Sequence, residues 1–322
     1  MKAILVERHG DPDVLHLQEV KEEEPQANQV KVSLKAVGVN FIDVYERRGT
    51  YPVALPYVPG REASGVVESV GANVSEFRPG DRVAYTGQLK AYAEKAIVDK
   101  DKLIALPDEL TFEQGAAFPL QGMTAHYLIH EYRHIKAGEY VLIHAAAGGM
   151  GLLLTQWASH FGAVVIGTVS SQEKAEAARQ AGAKHTINYT EQDFVQETNR
   201  ITGGIGAHLI IDGVGKTTFK GDLEACATRG NIVIFGSASG PAEPILPNSL
   251  QPRSLTLSGG RLNNYMLTRE ETLRRANDVL KGLKEGWLKL RIDHVLSLSD
   301  AAKAHRLLEN RRTMGKVVLK VD

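Results

Sequence analysis

A glycine-rich stretch near the middle of the chain has the residue types and spacing of a phosphate-binding turn. Residues 146–151 read Ala-Ala-Gly-Gly-Met-Gly, a Gly-x-Gly-x-x-Gly pattern with alanine in the first place. Gly148 would let a pyrophosphate approach the backbone, and Gly151 would let the next helix pack closely on the strand before it. The stretch follows an apolar strand at 140–144 and opens an apolar helix, whose free N–H groups attract phosphate. The predicted dinucleotide contacts of this turn are Gly148, Gly149, Met150 and Gly151.

The end of the next predicted strand indicates which dinucleotide binds. NAD sites usually place Asp or Glu about 20 residues beyond the turn, to accept hydrogen bonds from the ribose 2′-hydroxyl. Here Ser170 and Ser171 stand at the strand tip, and Lys174 follows one helical turn later. A hydroxyl and an ammonium suit a 2′-phosphate, so we expect NADPH, with Ser170 and Lys174 as its contacts. The alternative is a solvated lysine on an exposed helix start.

The elements around this turn must form a parallel sheet. From residue 139 onward short apolar strands alternate with helices of about 10 to 15 residues, which is the pattern of βαβ units. The predicted strands are 140–144, 163–168, 185–188, 207–212 and 231–235, with a further edge strand at 255–258. The predicted helices are 172–181, 191–202, 217–227 and 269–283. The fold class is therefore α/β, with a Rossmann doubly wound parallel sheet.

The first 120 residues have a different rhythm. Period-two alternation of Val, Ile and Leu, punctuated by Gly and Pro, predicts strands at 29–37, 63–71 and 80–85. Helical spacing takes over at 111–132. The chain ends in a strand-like segment, 316–320, which we expect to return to the first domain.

Composition limits the classes of protein that the chain can belong to. Its 322 residues suggest two domains, and 43% hydrophobic and 24% charged residues are ordinary for a globular protein. Lys plus Arg equals Asp plus Glu, at 38 each, which argues against a general nucleic-acid or anionic-membrane binder. No apolar run reaches the roughly 18 residues of a membrane helix. Cys226 is the only cysteine, which fits a reducing cytoplasm and excludes zinc sites built on several thiolates.

The chain resembles a known family along its whole length. The residues that carry the resemblance are Gly138, Glu139, Leu142, the turn at 146–151, Gln156 and Ser159, together with 36–43, 60–65 and 122–125. Their spacing resembles that of the quinone oxidoreductase, or zeta-crystallin, branch of the medium-chain dehydrogenases. The resemblance implies a GroES-like β-barrel domain over 1–121, a Rossmann domain over 122–260 and a return segment, 261–322, that completes the first domain. It also implies an active site in the cleft between the domains.

The resemblance extends the set of site residues. It implies that Tyr189 lies near the adenosine, Arg311 near the 2′-phosphate, and Phe235 and Ser237 in a loop beside the nicotinamide. It places Asn40, Asp43, Tyr45 and Thr124 around the nicotinamide ring. Simpler explanations are packing for the tyrosines, a helix cap for Asp43 and a surface charge for Arg311. Two stretches depart from the family pattern: Gly-Gly-Arg at 259–261 replaces an Arg-Pro pair, and Lys-Ala-Tyr at 90–92 replaces Gly-Ala-Tyr.

The residues at the metal positions predict that no zinc is used. Zinc-dependent relatives place Cys where this chain has Asn40 and His where it has Arg61, and their third ligand would fall near Gln121. Their structural zinc lobe needs four cysteines. His126, His130 and His134 have i, i+4 spacing, but without a nearby acid or cysteine an amphipathic helix explains them better. His144, at a strand end, reads as a packed core residue.

These features lead to one functional hypothesis with two alternatives. The leading hypothesis is hydride transfer from NADPH to a quinone-type acceptor, with Asn40, Tyr45, Tyr51 and Thr124 as the catalytic set. Asn40, Tyr45 and Tyr51 are the candidate hydrogen-bond donors to the reduced oxygen. The alternatives are NADPH-dependent reduction of a conjugated enone or enal, and a non-catalytic NADPH-binding protein. We also expect a cytoplasmic location from the cysteine usage. The family resemblance implies a homodimer, and the strand at 255–258 would be an exposed sheet edge that a second copy could cover.

Overall fold

The structure, a computed structural model, describes residues 1–321 and divides into two compact units. The first unit contains residues 1–122, 266–277 and the chain from Leu290 onward. The second contains 123–265 and 278–289. The predicted domain boundaries, after residues 121 and 260, fall near these segment ends, although 278–289 groups with the second unit. The GroES-like and Rossmann domain limits themselves stay a prediction.

Strands and helices of the described chain follow one another as the sequence rhythm suggests. The strands are β1 (Lys2–Leu5), β2 (His16–Glu19), β3 (Gln29–Val39), β4 (Glu62–Val70), β5 (Arg82–Thr86), β6 (Lys95–Asp99), β7 (Leu103–Ala105), β8 (Tyr140–Ile143), β9 (Val164–Val169), β10 (His185–Asn188), β11 (Ala207–Asp212), β12 (Cys226–Ile234), β13 (Thr256–Gly259), β14 (Ile292–Ser297) and β15 (Lys316–Lys320). The α-helices are α1 (Phe41–Arg47), α2 (Phe112–Gly115), α3 (Pro119–His130), α4 (Gly149–His160), α5 (Gln172–Gln180), α6 (Phe194–Ile201), α7 (Phe219–Ala225), α8 (Arg269–Glu285) and α9 (Ala301–Glu309).

The first unit is built on a seven-stranded sheet in the order β14-β15-β3-β4-β5-β7, with β6 also paired to β3. Strand β15 lies antiparallel to β3, with Val317 opposite Val39, so the C-terminal strand returns to the first unit as predicted. The apolar side chains of the sheet form one buried core, which includes Val32, Leu34, Val83, Leu103 and Leu319. This core fixes β3, β4 and β15, whose ends carry the site described below.

The second unit is built on six parallel strands in the order β10-β9-β8-β11-β12-β13. Counted from β8, this is the doubly wound 3-2-1-4-5-6 order, in which ligands bind beyond the carboxyl ends of the strands. The central strand β8 is apolar and completely buried at Val141, Leu142 and Ile143, as expected for a strand covered by helices on both faces. The predicted α/β class is confirmed.

Two stretches differ from the sequence expectations. The helical stretch at 111–132 forms two helices, α2 and α3, because Pro119 disfavours helical geometry in the residue before it and so starts a new helix. Strand β12 begins at Cys226, five residues before the predicted start, and helix α7 ends correspondingly early. Among the described residues, no helix is long and apolar enough to cross a membrane.

Candidate functional site

The glycine turn of the second unit has the shape of a phosphate cradle. Strand β8 ends at Ile143, and Gly148 caps the start of α4 without a capping side chain or an acidic residue in the first turn. A Cβ atom at Gly151 would lie 2.3 Å from the carbonyl oxygen of Ala145, so only glycine fits there. At Gly148 a Cβ atom would meet only that same oxygen, at 3.3 Å. The open N-terminus of this 12-residue helix therefore fits a pyrophosphate.

The predicted ribose contacts lie together at the same edge of the parallel sheet. Ser170 follows β9, and Ser171 caps α5 by accepting a hydrogen bond of 3.2 Å from the backbone N–H of Lys174. Tyr189 follows β10, is 40% exposed, and donates its backbone N–H to the oxygen of Val169 at 3.0 Å. Ser171 is used as the cap, and Ser170 and Lys174 remain the predicted contacts of a 2′-phosphate.

The predicted nicotinamide loop begins where β12 ends. The backbone N–H of Phe235 donates to the oxygen of Asp212 at 2.9 Å, and its ring packs over Gly213, where a Cβ atom would lie 2.7 Å from the ring. Ser237 accepts a hydrogen bond from the backbone of Gly240, which closes the loop. Thr124, on α3 in the same unit, is 7% exposed. The loop is held by backbone hydrogen bonds and Thr124 is buried, and their contact with nicotinamide stays a prediction.

The two departures from the family pattern have local physical reasons. A Cβ atom at Gly260 would lie 2.2 Å from the hydroxyl oxygen of Tyr132, which donates to the oxygen of Gly259 at 2.9 Å. The hydroxyl of Tyr132 therefore occupies the space that any side chain at position 260 would need. Lys90 has a φ of 80°, the left-handed geometry that the usual glycine would adopt. The backbone shape at 90–92 is therefore glycine-like although the residue is lysine.

His144, which directly follows β8, is buried and contacts one acidic side chain and one hydroxyl group. Its Nε2 lies 2.7 Å from Oδ1 of Asp222, and its Nδ1 lies 3.0 Å from the hydroxyl of Thr168. Burial raises the pKa of Asp222 to about 6, against the opposing influence of His144. Burial lowers the pKa of His144, but the adjacent Asp222 carboxylate outweighs it and the net shift is upward. The histidine fixes the end of β8 and is not placed as a free base.

In the first unit, Asn40 follows β3, and both the oxygen and the nitrogen of its side-chain amide form hydrogen bonds within the protein. Its Nδ2 donates to Oε2 of Glu62 at 2.9 Å and to the oxygen of Gly38 at 3.2 Å. Its Oδ1 accepts from Nζ of Lys316 at 2.6 Å and from Nε2 of Gln121 at 3.5 Å. Both amide hydrogens are therefore occupied. The role of Asn40 toward the acceptor and its place beside the nicotinamide stay predictions.

Asp43 is the helix cap that the sequence offered as an alternative. Its Oδ2 accepts the backbone N–H of Asn40 at 2.8 Å and the hydroxyl of Tyr92 at 3.0 Å. That hydroxyl also lies 3.1 Å from Nε2 of His305. Burial, helped by the charge of Glu46, raises the pKa of Asp43 to about 7. A fully buried carboxyl engaged in this way has a structural function, whether or not it also contacts the cofactor.

The remaining predicted site residues of the first unit are more open. Tyr45 and Tyr51 are half-buried, and their rings pack with centroids 5.1 Å apart. Arg311 follows α9 with a φ of 56°, a left-handed residue just beyond a helix end. Their roles toward acceptor and cofactor stay predictions.

Asn40, Arg61 and Gln121 stand at the positions where zinc-dependent relatives are expected to carry metal ligands, and none of the three is a cysteine, histidine or carboxylate. Nη2 of Arg61 lies 2.6 Å from Oε1 of Glu46, so Arg61 forms an ion pair there. Across residues 1–321 no group of three or more His, Cys, Asp or Glu side chains is arranged to hold a metal ion. His126 and His130 stack on each other at 4.3 Å, and His126 pairs with Asp278 at 2.8 Å.

Comparison with known proteins places this architecture in a family. The family profile described as "Alcohol dehydrogenase GroES-like domain" matches residues 26–139, and "Zinc-binding dehydrogenase" matches residues 149–281. The chain is 41% identical to a quinone oxidoreductase of Pseudomonas aeruginosa over 99% of both chains. It is also 41% identical to a 2-haloacrylate reductase of a Burkholderia species over 98% of both.

A solved structure agrees with these relatives. The Escherichia coli quinone oxidoreductase complexed with NADPH superimposes with a TM-score of 0.97 at 39% identity, over 99% of this chain and 100% of that one. The chain belongs to the medium-chain dehydrogenase/reductase superfamily, in its quinone oxidoreductase branch.

Proposed function

We propose that this protein is an NADPH-dependent oxidoreductase that reduces quinone-type acceptors without zinc. The observation that carries the proposal is the open, glycine-lined N-terminus of α4, with Ser170 and Lys174 in place of an acid at the next strand tip. Bound NADPH supplies the hydride. The chain holds the pyrophosphate, orients the nicotinamide and excludes water. The similarity to quinone oxidoreductases at about 40% identity supports a quinone as the acceptor.

The proposal is tested by mixing the protein with NADPH and phenanthrenequinone, and following the loss of NADPH absorbance with and without a metal chelator. We expect turnover in both conditions. Binding of NADPH without turnover of any quinone or enone would instead indicate a non-catalytic binding protein. Loss of activity with the chelator, together with stoichiometric zinc in the untreated protein, would refute the zinc-free part of the proposal.

A second candidate activity is reduction of a conjugated double bond. It is favoured by the 41% identity to a protein named 2-haloacrylate reductase. An enone or haloacrylate accepts hydride at carbon and develops negative charge at oxygen. Its reduction therefore benefits from the same hydrogen-bond donors and positive charge as the reduction of a quinone. Parallel assays with an enone, a haloacrylate and a quinone separate the two activities by their kcat/KM values.

Lys174→Ala should weaken NADPH and leave NADH nearly unchanged, because only NADPH carries the 2′-phosphate. A charge-assisted hydrogen bond contributes roughly 1.5–3 kcal/mol, so we expect an affinity loss of about 10- to 100-fold. Fluorescence titration of both cofactors measures it. Lys184→Ala is the matched control, because Lys184 is an exposed lysine at the opposite end of β10. Equal weakening of both cofactors would show that Lys174 does not read the phosphate.

Tyr45→Phe and Tyr51→Phe should each lower kcat/KM for a quinone by roughly tenfold or less. Reduction of a quinone gives a delocalised anion, so one neutral hydrogen bond to its oxygen is a modest contribution. Steady-state kinetics with a fixed excess of NADPH measures the effect. A thousandfold loss, with NADPH binding intact, would show a dedicated proton donor and favour the carbonyl or enone reductase alternative.

The proposed assembly is a cytoplasmic homodimer. Strand β13 ends the strand order of the parallel sheet, and within the part of the chain that the structure describes its paired neighbour in this sheet is β12, which supports pairing of its outer edge with a second copy. Light scattering at micromolar concentration should give about twice the chain mass of 35.1 kDa. A mass equal to that of one chain would rule the dimer out. The single buried Cys226 is consistent with a reducing compartment.

A further inference from the structure

A lysine stands in the core of the first unit. Lys316 is the first residue of β15, and its side chain is 2% exposed. Its Nζ lies 2.5 Å from Oε2 of Glu62, which is completely buried, and 2.6 Å from Oδ1 of Asn40. We call Asn40, Glu62 and Lys316 the Lys316 cluster. A buried charge is costly unless it is paired and hydrogen-bonded, and this cluster meets both conditions.

The fold makes room for the cluster and fixes it from several sides. A Cβ atom at Gly38 would lie 2.4 Å from Oε2 of Glu62, so only glycine lets the carboxylate reach its position. The other oxygen of Glu62 accepts the backbone N–H of Leu120, near the start of α3, at 2.7 Å. Strands β3, β4 and β15 and helix α3 therefore all contribute to the position of one ammonium group.

Counting hydrogens shows which member of the cluster can still donate. The amide of Asn40 has two hydrogens, and both are accepted by Glu62 and Gly38. The ammonium of Lys316 has three, and its bonds to Asn40 and Glu62 use two of them. Within residues 1–321 the structure gives the third no acceptor. The hydrogen that these bonds leave unused therefore belongs to Lys316, which also carries a positive charge.

We propose that Lys316 provides the positive charge and the hydrogen-bond donor that stabilise the reduced acceptor, and that Asn40 and Glu62 hold it in position. This rests on the proposed function. The acceptor gains two electrons and one proton as hydride, becomes an anion at oxygen, and takes its second proton from water. A fixed ammonium is preorganised for that anion, in the way that a metal ion is in other dehydrogenases.

The test compares charged and neutral versions of the pair. Lys316→Met alone would leave Glu62 buried without a counter-charge, so the main variant is the double change Glu62→Gln with Lys316→Met. The oxygen of the glutamine can still accept from Leu120, and its NH2 group then faces Asn40, whose amide can turn to accept from it once Lys316 is gone. Glu22→Gln with Lys31→Met is the matched control, because Lys31 is another buried lysine of this sheet, 2.5 Å from Glu22. Thermal unfolding and NADPH binding are measured for each variant beside kcat/KM.

The decisive readout is a series of quinones whose hydroquinone anions differ in basicity. For the double variant at Lys316 we expect kcat/KM to fall by about 100-fold with the acceptor that gives the most basic anion, and by about tenfold with the least basic. NADPH affinity should stay within about twofold of wild type. The matched control should lose less than about threefold with every acceptor.

Other outcomes decide against the proposal. A loss below about threefold in the folded double variant, or an equal loss with all acceptors, would show that the cluster is only structural. If that variant does not fold, Asn40→Ala serves instead, because it keeps the ion pair but removes one support of the ammonium. It should show a smaller loss with the same dependence on the acceptor, and wild-type rates would overturn the proposal. Absence of quinone turnover in the wild-type protein would refute the proposed function itself.

Discussion

Gly151→Ala should lower the affinity for NADPH by roughly 10- to 100-fold while leaving the protein folded. The added methyl group would lie 2.3 Å from the carbonyl oxygen of Ala145 and 2.6 Å from the Cα atom of Ala146. Both are backbone atoms and cannot move aside alone, so the helix start and the turn must separate. Overpacking of this kind typically costs about 1–3 kcal/mol, and here the cost falls on the geometry that binds the pyrophosphate.

The measurement is fluorescence titration with NADPH and NADH, which should both weaken because both carry the pyrophosphate. Gly259→Ala is the matched control, since a Cβ atom there has only one neighbour, at 3.8 Å, in the same unit. Unchanged affinity in Gly151→Ala, with the wild-type thermal stability, would show that the turn does not hold the dinucleotide.

Asp43→Asn should stabilise the protein at neutral pH and much less in acid. Burial raises the pKa of Asp43 from 3.8 to about 7. Between these values the unfolded chain has released the proton while the folded chain still holds it, so the free energy of unfolding falls as the pH rises. At about 1.4 kcal/mol per pKa unit, the loss from this group reaches roughly 4 kcal/mol near pH 7. Because asparagine cannot ionise, the variant does not lose this part of the free energy of unfolding as the pH rises.

The expected result is a difference in unfolding free energy, variant minus wild type, that grows from about pH 4 to pH 7 and then levels. The introduced asparagine would keep an oxygen to accept from Tyr92 and from the backbone of Asn40. Denaturant unfolding at several pH values measures the difference. Asp101→Asn, at an exposed position of the same unit, should show no such slope. A flat difference across this pH range would mean that Asp43 ionises in the folded protein as it does in the unfolded chain.

The elements that carry the proposed dinucleotide contacts could be predicted because their determinants are local in sequence. The turn at 146–151, the serines after β9 and the strand periodicity depend on residues a few positions apart. Strands β8, β10 and β11 begin where the apolar pattern places them. The errors lie at boundaries such as the start of β12, where Arg229 takes a left-handed conformation with a φ of 61° inside the strand.

The Lys316 cluster could not be predicted, because it depends on pairing between distant parts of the chain. In sequence, 316–320 reads Lys-Val-Val-Leu-Lys, an apolar strand with a charge at each end. That pattern predicts two solvated lysines, and Lys320 is indeed exposed while Lys316 is buried. Only the alignment of β15 with β3 brings Lys316 to Asn40. Gly38 and Glu62 carried a signal through the family motifs, but the partner that explains them lies at the other end of the chain.

The distance in sequence between Glu62 and Lys316 has a consequence for biosynthesis. Strand β15 follows every other described strand, so a nascent chain contains Glu62, Asn40 and the segments of the second unit before it contains their cationic partner. Such a chain already contains the residues of the nucleotide cradle, but Glu62 has no counter-charge until β15 has been made. If Lys316 stabilises the reduced acceptor as proposed, a chain that stops before β15 would bind NADPH without oxidising it. The position of Lys316 would then make synthesis of β15 a condition for the oxidation of NADPH.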